Sequence, residues 1–268
     1  VTTTAVVTIV HGRHDHLRRH RRSLLRGSRL PDHHVVVAMG DEQVAGVLDD
    51  GAEVISLPAD PSCLPLAAAR NAGARAAVRR GADVLVFLDV DCLAAPDLVA
   101  AYTEVAERDR ATLWSGPVTY LEPGEAEDAL RDPDAHDRPH PARPSPGPGE
   151  ELRGADPVLF WSLSFAVHRE GWQAAGGFCE QYAGYGAEDT DFAVQATGRG
   201  LEHAWVGSAR AHHQHHPTAS PPVQHLHAIL RNARTYHERW GRWPMEGWLR
   251  DFAALGLATL TDDGWQAT

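Results

Sequence analysis

Residues 84–91, Val-Leu-Val-Phe-Leu-Asp-Val-Asp, constrain this chain more than any other stretch. Five apolar residues in a row read as a strand buried on both faces, which needs covering layers above and below it. Two carboxylates end the run. Strand side chains alternate with period two, so Asp89 and Asp91 are expected on the same side. In open α/β sheets, ligands bind in the crevice beyond the carboxyl ends of the strands. A buried strand with two carboxylates there offers oxygen ligands to a hard divalent cation, with room for a phosphate-bearing ligand. The plain alternative is a strand followed by an acidic turn.

The flanking pattern supplies those covering layers. Strands are expected at 5–10, 35–39, 52–57, 84–88, 112–120 and 203–206 from their β-branched and apolar runs. Helices are expected at 15–25 with Asp15 as a cap, at 66–80 closed by Gly81, and at 96–108, 171–178, 189–198 and 223–240. Alternating strands and helices predict an α/β fold with a mixed, mainly parallel sheet flanked by helices. Residues 122–156 break the pattern, being dense in Pro, Gly, Asp and Arg; they read as a flexible loop unable to pack a core. Two readings of that loop stand: a plain insertion, or a lid over a site. Residues 221–268 read as a helical, Trp-rich C-terminal extension packed on the same domain.

Composition excludes several classes. A chain of 268 residues is long enough for one large α/β domain. Net charge of -11 argues against a nucleic-acid partner, and the basic run Arg18, Arg19, Arg21 and Arg22 reads as a solvated or anion-contacting helix face. Cys63, Cys92 and Cys179 are odd in number and lack metal spacing, which fits a reducing cytoplasm. No apolar stretch reaches about 18 residues, so no transmembrane segment is expected. The first ten residues lack the basic flank of a signal peptide and read as a strand.

Three clusters could carry chemistry. Asp89 and Asp91 are the first. The second is the turn Gly184, Tyr185, Gly186, Ala187, leading into Glu188, Asp189 and Asp191 at the start of a helix. Acids there also cap a helix and complement its dipole. Yet two glycines around an aromatic ring describe a backbone held open beside a platform on which a sugar can stack. The third is His212, His213, His215 and His216, four imidazoles in five residues after a strand. Neutral imidazole binds transition metals well. The alternative is a solvated His-rich turn, and four rings cannot all bind one ion.

Taken in order, these clusters resemble the GT-A-fold, metal-dependent glycosyltransferases, in particular the β-1,4-galactosyltransferase type and related bacterial family-2 enzymes. Residues 10–17 resemble the family's first loop, which meets the nucleotide; His11 stands where its first Arg would be, and Arg13 matches. Residues 69–73, Ala-Arg-Asn-Ala-Gly, resemble a family-2 segment near the nucleotide. Residues 89–91 match the metal-binding Asp-Val-Asp. Residues 176–191 resemble the Gly-Phe…Trp-Gly-Gly-Glu-Asp-Asp-Asp block, with Tyr185 in place of Trp and Ala187 in place of Gly. The family's Met ligand three residues before its His has no counterpart, since Arg210 stands there.

The resemblance implies one GT-A domain over 1–268. Residues 1–121 form its nucleotide-binding half and 157–220 its acceptor and metal half. It implies an inverting hexosyltransferase using a nucleotide-diphosphate sugar, a UDP-sugar such as UDP-galactose, and an acceptor hydroxyl on a glycan, lipid or small molecule. Asp91 with His213, and His215 as second choice, would hold Mn2+ or Mg2+. His11, Arg13, Arg70, Asp89, Tyr185 and Gly186 would meet the nucleotide sugar, Asp189 would be the base, and Glu188 would hold the acceptor. Two other readings compete with it. A sugar-nucleotide nucleotidyltransferase usually carries a Gly-rich, Lys- or Arg-containing loop after the first strand, and His11-Gly12-Arg13 has one Gly and no Lys. A non-catalytic carbohydrate- or metal-binding module leaves Asp189 beside the glycine turn without a purpose.

Overall fold

The computed structural model describes residues 1–48 and 51–268. In chain order the elements begin with β1 (Thr4–Val10), α1 (His14–Leu24), β2 (His33–Met39), β3 (Ala52–Leu57), α2 (Leu66–Arg79), β4 (Val84–Leu88), β5 (Cys92–Ala94) and α3 (Leu98–Arg108). They continue with β6 (Thr112–Ser115), β7 (Val118–Tyr120), α4 (Ala126–Arg131), β8 (Glu151–Leu152), β9 (Ser164–His168), α5 (Arg169–Ala175), α6 (Glu188–Gly198), β10 (Glu202–Val206) and β11 (Ala211–His213). Helices α7 (Leu226–Trp240) and α8 (Glu246–Ala254) and the hairpin β12 (Ala258–Thr261), β13 (Gly264–Ala267) complete the chain.

The main sheet has the order β3-β2-β1-β4-β9-β6-β10-β8. Its first four strands are parallel. Strand β9 runs antiparallel to both neighbours, β4 and β6, while β10 is parallel to β6. Every residue of β1 and β4 is buried, as the Val/Leu-rich runs require. On one face Phe87, Phe165, Phe178, Phe192 and Trp172 form an aromatic core under α2, α5 and α6, with Phe87 stacked on Phe165 at 4.4 Å. Burying each such ring contributes roughly 1.5–3 kcal/mol. The other face packs on α3 through Tyr102, Trp114, Val99 and Leu98. A small sheet, β5-β11-β7, closes over the carboxyl ends of the main strands.

Several expectations change in detail. The central strand stops at Leu88, where its pairing with β9 ends. Asp89 and Asp91 lie on a turn closed by the Cys92 N–H donating to the Asp89 carbonyl at 2.8 Å. Turn geometry, not strand alternation, therefore sets their directions. Helix α1 begins at His14, with Arg13 in its cap position, and Asp15 pairs with Arg18 on the surface instead of capping. The expected strand 112–120 is two strands in different sheets. Between them Gly116 passes so close to the Ala209 carbonyl that a Cβ would lie 1.9 Å from its oxygen.

Residues 122–156 carry α4 and β8, and Ala129 and Leu130 pack against Leu93 and Leu121. Arg143 is buried, its guanidinium 4.5 Å from the Trp161 ring and 5.1 Å from the Trp205 ring. A few apolar anchors and one cation between two rings hold the segment without a continuous hydrophobic run. The C-terminal extension contains a β-hairpin beside its helices, clustered through Ile229, Leu249, Phe252 and Trp265. Among the described residues, no helix is long and apolar enough to cross a membrane.

Candidate active site

Strand ends and loops converge on Asp91. The chain leaves β1 through two residues in left-handed backbone, Gly12 (φ 58°) and Arg13 (φ 51°). For a side chain such as Arg this conformation costs roughly 1–2 kcal/mol. Asp41, at the end of β2, offsets it by accepting the Gly12 N–H at 2.8 Å and His14 Nε2 at 2.8 Å. His11 Nδ1 donates to the Met39 carbonyl at 2.7 Å, which fixes its ring on the same loop. Arg13 makes no capping bond and instead sets its guanidinium on Asp91 Oδ2.

Strand β11 delivers the histidines. Its antiparallel pairing with β5 puts His213 opposite Cys92, and so beside Asp91. His213 Nε2 and His216 Nε2 each lie 3.5 Å from Asp91 Oδ2. One ligand atom from each of Asp91, His213 and His216 lies within 4.8 Å of the other two. Gln214, buried between them, donates its backbone N–H to the Asp91 carbonyl at 2.6 Å and its amide to the His16 carbonyl at 3.2 Å. His212 points away and donates to the Pro133 carbonyl at 3.1 Å. His215 is exposed and lies outside the group; His216 takes the place the sequence reading gave it. Strand alternation ends at His213, so it does not predict which later ring turns back.

Burial works against charge on Asp91, but His213, His216 and Arg13 hold its carboxyl well below the usual range. Asp89 goes the other way. Burial and the Asp91 charge raise its carboxyl, partly offset by Arg70. Arg70 donates Nη2 to both Asp89 oxygens at 3.1 and 3.2 Å and Nη1 to Glu188 Oε1 at 3.3 Å. The Ala-Arg-Asn-Ala-Gly segment thus divides its labour. Arg70 bridges two carboxylates, and the Asn71 side chain clamps the Phe178 backbone through both its oxygen and its nitrogen, each at 2.9 Å. Gly73 lets α2 lie on β1, where a Cβ would come 2.3 Å from a Val7 methyl.

The acids at the start of α6 have three different fates. Glu188 is buried, with Oε2 unpartnered, and burial plus the Asp189 charge push its carboxyl up to about 7. Asp189 is half-buried; burial raises its carboxyl, although the Thr190 N–H donates to it at 2.7 Å. Asp191 is fully buried and structural: its Oδ1 accepts from Tyr182, Arg239 and Trp240, tying α6 to α7. The preceding turn uses positive φ at Gly184, Gly186 and Ala187. It is held by one buried side chain, Asn232 of α7, which donates to the carbonyls of Ala183, Tyr185 and Gly186. Tyr185 is 40% exposed and stacks on His225 at 4.7 Å and Trp248 at 5.8 Å.

Sequence reasoning missed Tyr120, which stacks on His213 at 4.5 Å, and the supporting roles of Asp41, Gln214 and Asn232. An aromatic residue ending the strand beside β11 was the available signal for Tyr120. A concavity of about 410 Å³ is lined by Arg26, Leu93, Leu130 and His212, and another of about 690 Å³ by Arg29 and Glu104; neither is lined by Asp91, His213 or His216.

No protein-family profile matches the chain, and no curated protein sequence matches it. Among solved structures, it is similar to GalNAc-T7 crystallised with UDP, GalNAc and Mn2+. The TM-score is 0.60 at 14% identity, over 95% of this chain and 57% of the other. The chain thus spans just over half the length of that protein. Its mixed α/β architecture, a large central sheet flanked by helices, is the GT-A fold.

Proposed function

We propose that this chain is a metal-dependent, inverting glycosyltransferase that moves a hexose from a UDP-sugar, such as UDP-galactose, to an acceptor hydroxyl. The observation that carries the reading is the convergence of Asp91, His213 and His216 at the carboxyl end of a GT-A sheet, with Arg70 linking the neighbouring Asp89 to Glu188. One carboxylate and two imidazoles suit Mn2+ better than Mg2+, which prefers oxygen ligands. A cation held there would supply positive charge against the diphosphate leaving group.

The chain's own residues do the rest. Arg13, on its strained loop, presents a guanidinium beside that position for a phosphate oxygen. Arg70 keeps Asp89 oriented for the nucleotide ribose or the cation. Asp189 takes the proton from the acceptor hydroxyl while its oxygen attacks the anomeric carbon. The new C–O bond forms on one face as the bond to the diphosphate breaks on the other, and UDP leaves with the bonding pair. One displacement inverts the anomeric centre. Glu188 Oε2, buried without a partner, accepts from a neighbouring acceptor hydroxyl, and Tyr185 offers its ring to a sugar face. The free cysteines Cys63, Cys92 and Cys179 fit action in the cytoplasm.

UDP release from a panel of UDP-hexoses, with Mn2+ and with chelator, tests the reading. The reading expects Mn2+-dependent release, lost by at least about 10²-fold in Asp189→Asn while UDP binding survives. Release of pyrophosphate instead would identify a nucleotidyltransferase. No turnover of any donor, with sugar binding retained, would identify a binding module.

A further inference from the structure

Beneath the Asp89–Cys92 turn lies a buried polar chain that the proposed reaction does not use. Thr8, on the fully buried strand β1, places its hydroxyl 2.9 Å from His20 Nε2 and 3.2 Å from His34 Nε2. His20 Nδ1 lies 2.7 Å from the Cys92 carbonyl, and His34 Nδ1 lies 3.4 Å from Arg21 Nη1. Thr8, His20 and His34 are each 2% exposed or less.

The two ends of this chain determine every proton within it. A carbonyl only accepts, so His20 Nδ1 carries a hydrogen and donates to Cys92. A guanidinium only donates, so His34 Nδ1 is an acceptor and Nε2 carries the hydrogen. His34 Nε2–H then donates to Thr8, and the Thr8 hydroxyl donates to His20 Nε2. Each hydrogen is used once and both rings are neutral. Charging His20 would leave the Thr8 proton without an acceptor, and charging His34 would set a hydrogen against the Arg21 guanidinium. Burial agrees, lowering His20 to about 4 and His34 well below its ordinary value.

The chain ends on the residue after Asp91. Ser23, one turn along α1 from His20, accepts the Ala94 N–H at 2.9 Å and donates to the His20 carbonyl at 2.7 Å. Helix α1 thus grips the start of β5 at two points, and β5 in turn pairs with β11, which carries His213. We propose that His20 is a positioning residue of the metal centre: its Nδ1–H, oriented by Thr8 and His34, fixes the turn that presents Asp91 to His213 and His216. The proposal rests on the metal-site reading above.

Titration of Mn2+ into the full chain, followed by loss of the free-ion electron paramagnetic resonance signal, tests it without any donor or acceptor. His20→Ala is expected to weaken Mn2+ binding about 10- to 100-fold, the usual effect of removing a group that orients a ligand. His20→Asn, whose amide can reproduce the Nδ1–H, is expected to recover most of that loss. Val105→Ala, a packing change on α3, is expected to lower the melting temperature without moving Mn2+ affinity. Wild-type affinity in His20→Ala overturns the proposal. So does an equal loss in Ala and Asn that merely tracks melting temperature, as for Val105→Ala. Failure of the wild type to bind Mn2+ at all overturns the metal reading itself, and this proposal with it.

Discussion

Asp89 and Asp91 are separated by one residue, yet their surroundings push their carboxyls in opposite directions. Two imidazoles and a guanidinium surround Asp91, so it stays charged at any working pH. Glu188 is the opposite case, since burial and Asp189 raise it to about 7. Its ionisation therefore costs stability. A carboxyl whose folded pKa exceeds the unfolded value of about 4.3 binds more protons in the native state, so stability falls as pH rises between those values. Glu188→Gln removes that cost. Chemical denaturation at pH 8 should show the variant more stable by on the order of 1–2 kcal/mol, with no gain at pH 4. Turnover should drop as well if Glu188 holds the acceptor as proposed. Asp189 adds a second pH signature. Its raised carboxyl must be ionised to serve as the proposed base. The acid limb of a kcat–pH profile should therefore lie above the ordinary aspartate value of about 3.9.

At the scale of elements, the site depends on close approaches that single residues permit. Gly73 lets α2 settle on β1 and so sets the reach of Arg70. Gly73→Val would drive side-chain atoms into Val7 and should cost about 1–3 kcal/mol or more, read as a lowered denaturation midpoint. Asn232 holds the Gly184–Ala187 turn through three carbonyls. Asn232→Ala should lose about 2 kcal/mol of stability, with a rise in acceptor KM exceeding any change in donor KM.

These same elements show what could be read beforehand. The Val/Leu runs and the Ala-rich helix were legible because burial on both faces leaves one composition. Asp91, Glu188 and His213 stood out as residue types at a strand end and a helix start, whereas Arg70 stood out only through the resemblance of residues 69–73 to a family segment. The choice of His216 over His215 was not, because it depends on how the chain leaves β11 once Gln214 is buried. The anchoring of 122–156 was also hidden. Arg143 between Trp161 and Trp205 gives no periodic signal. The C-terminal hairpin was missed because Trp243, Trp248 and Trp265 suggest packing without specifying strands.

For the whole molecule, the GT-A architecture accounts for why residues from positions 13 to 216 meet at one place. The parallel strands bring their carboxyl ends together, and the small β5-β11-β7 sheet folds a late segment back over them. We propose that this meeting point is a cation site for a nucleoside diphosphate. Isothermal titration of UDP into wild type and Asp91→Ala, each with Mn2+ and with chelator, tests it most directly. UDP should bind wild type only with Mn2+, and Asp91→Ala should lose that binding with the melting temperature largely kept. UDP binding that is indifferent to Mn2+ and to Asp91 would contradict it.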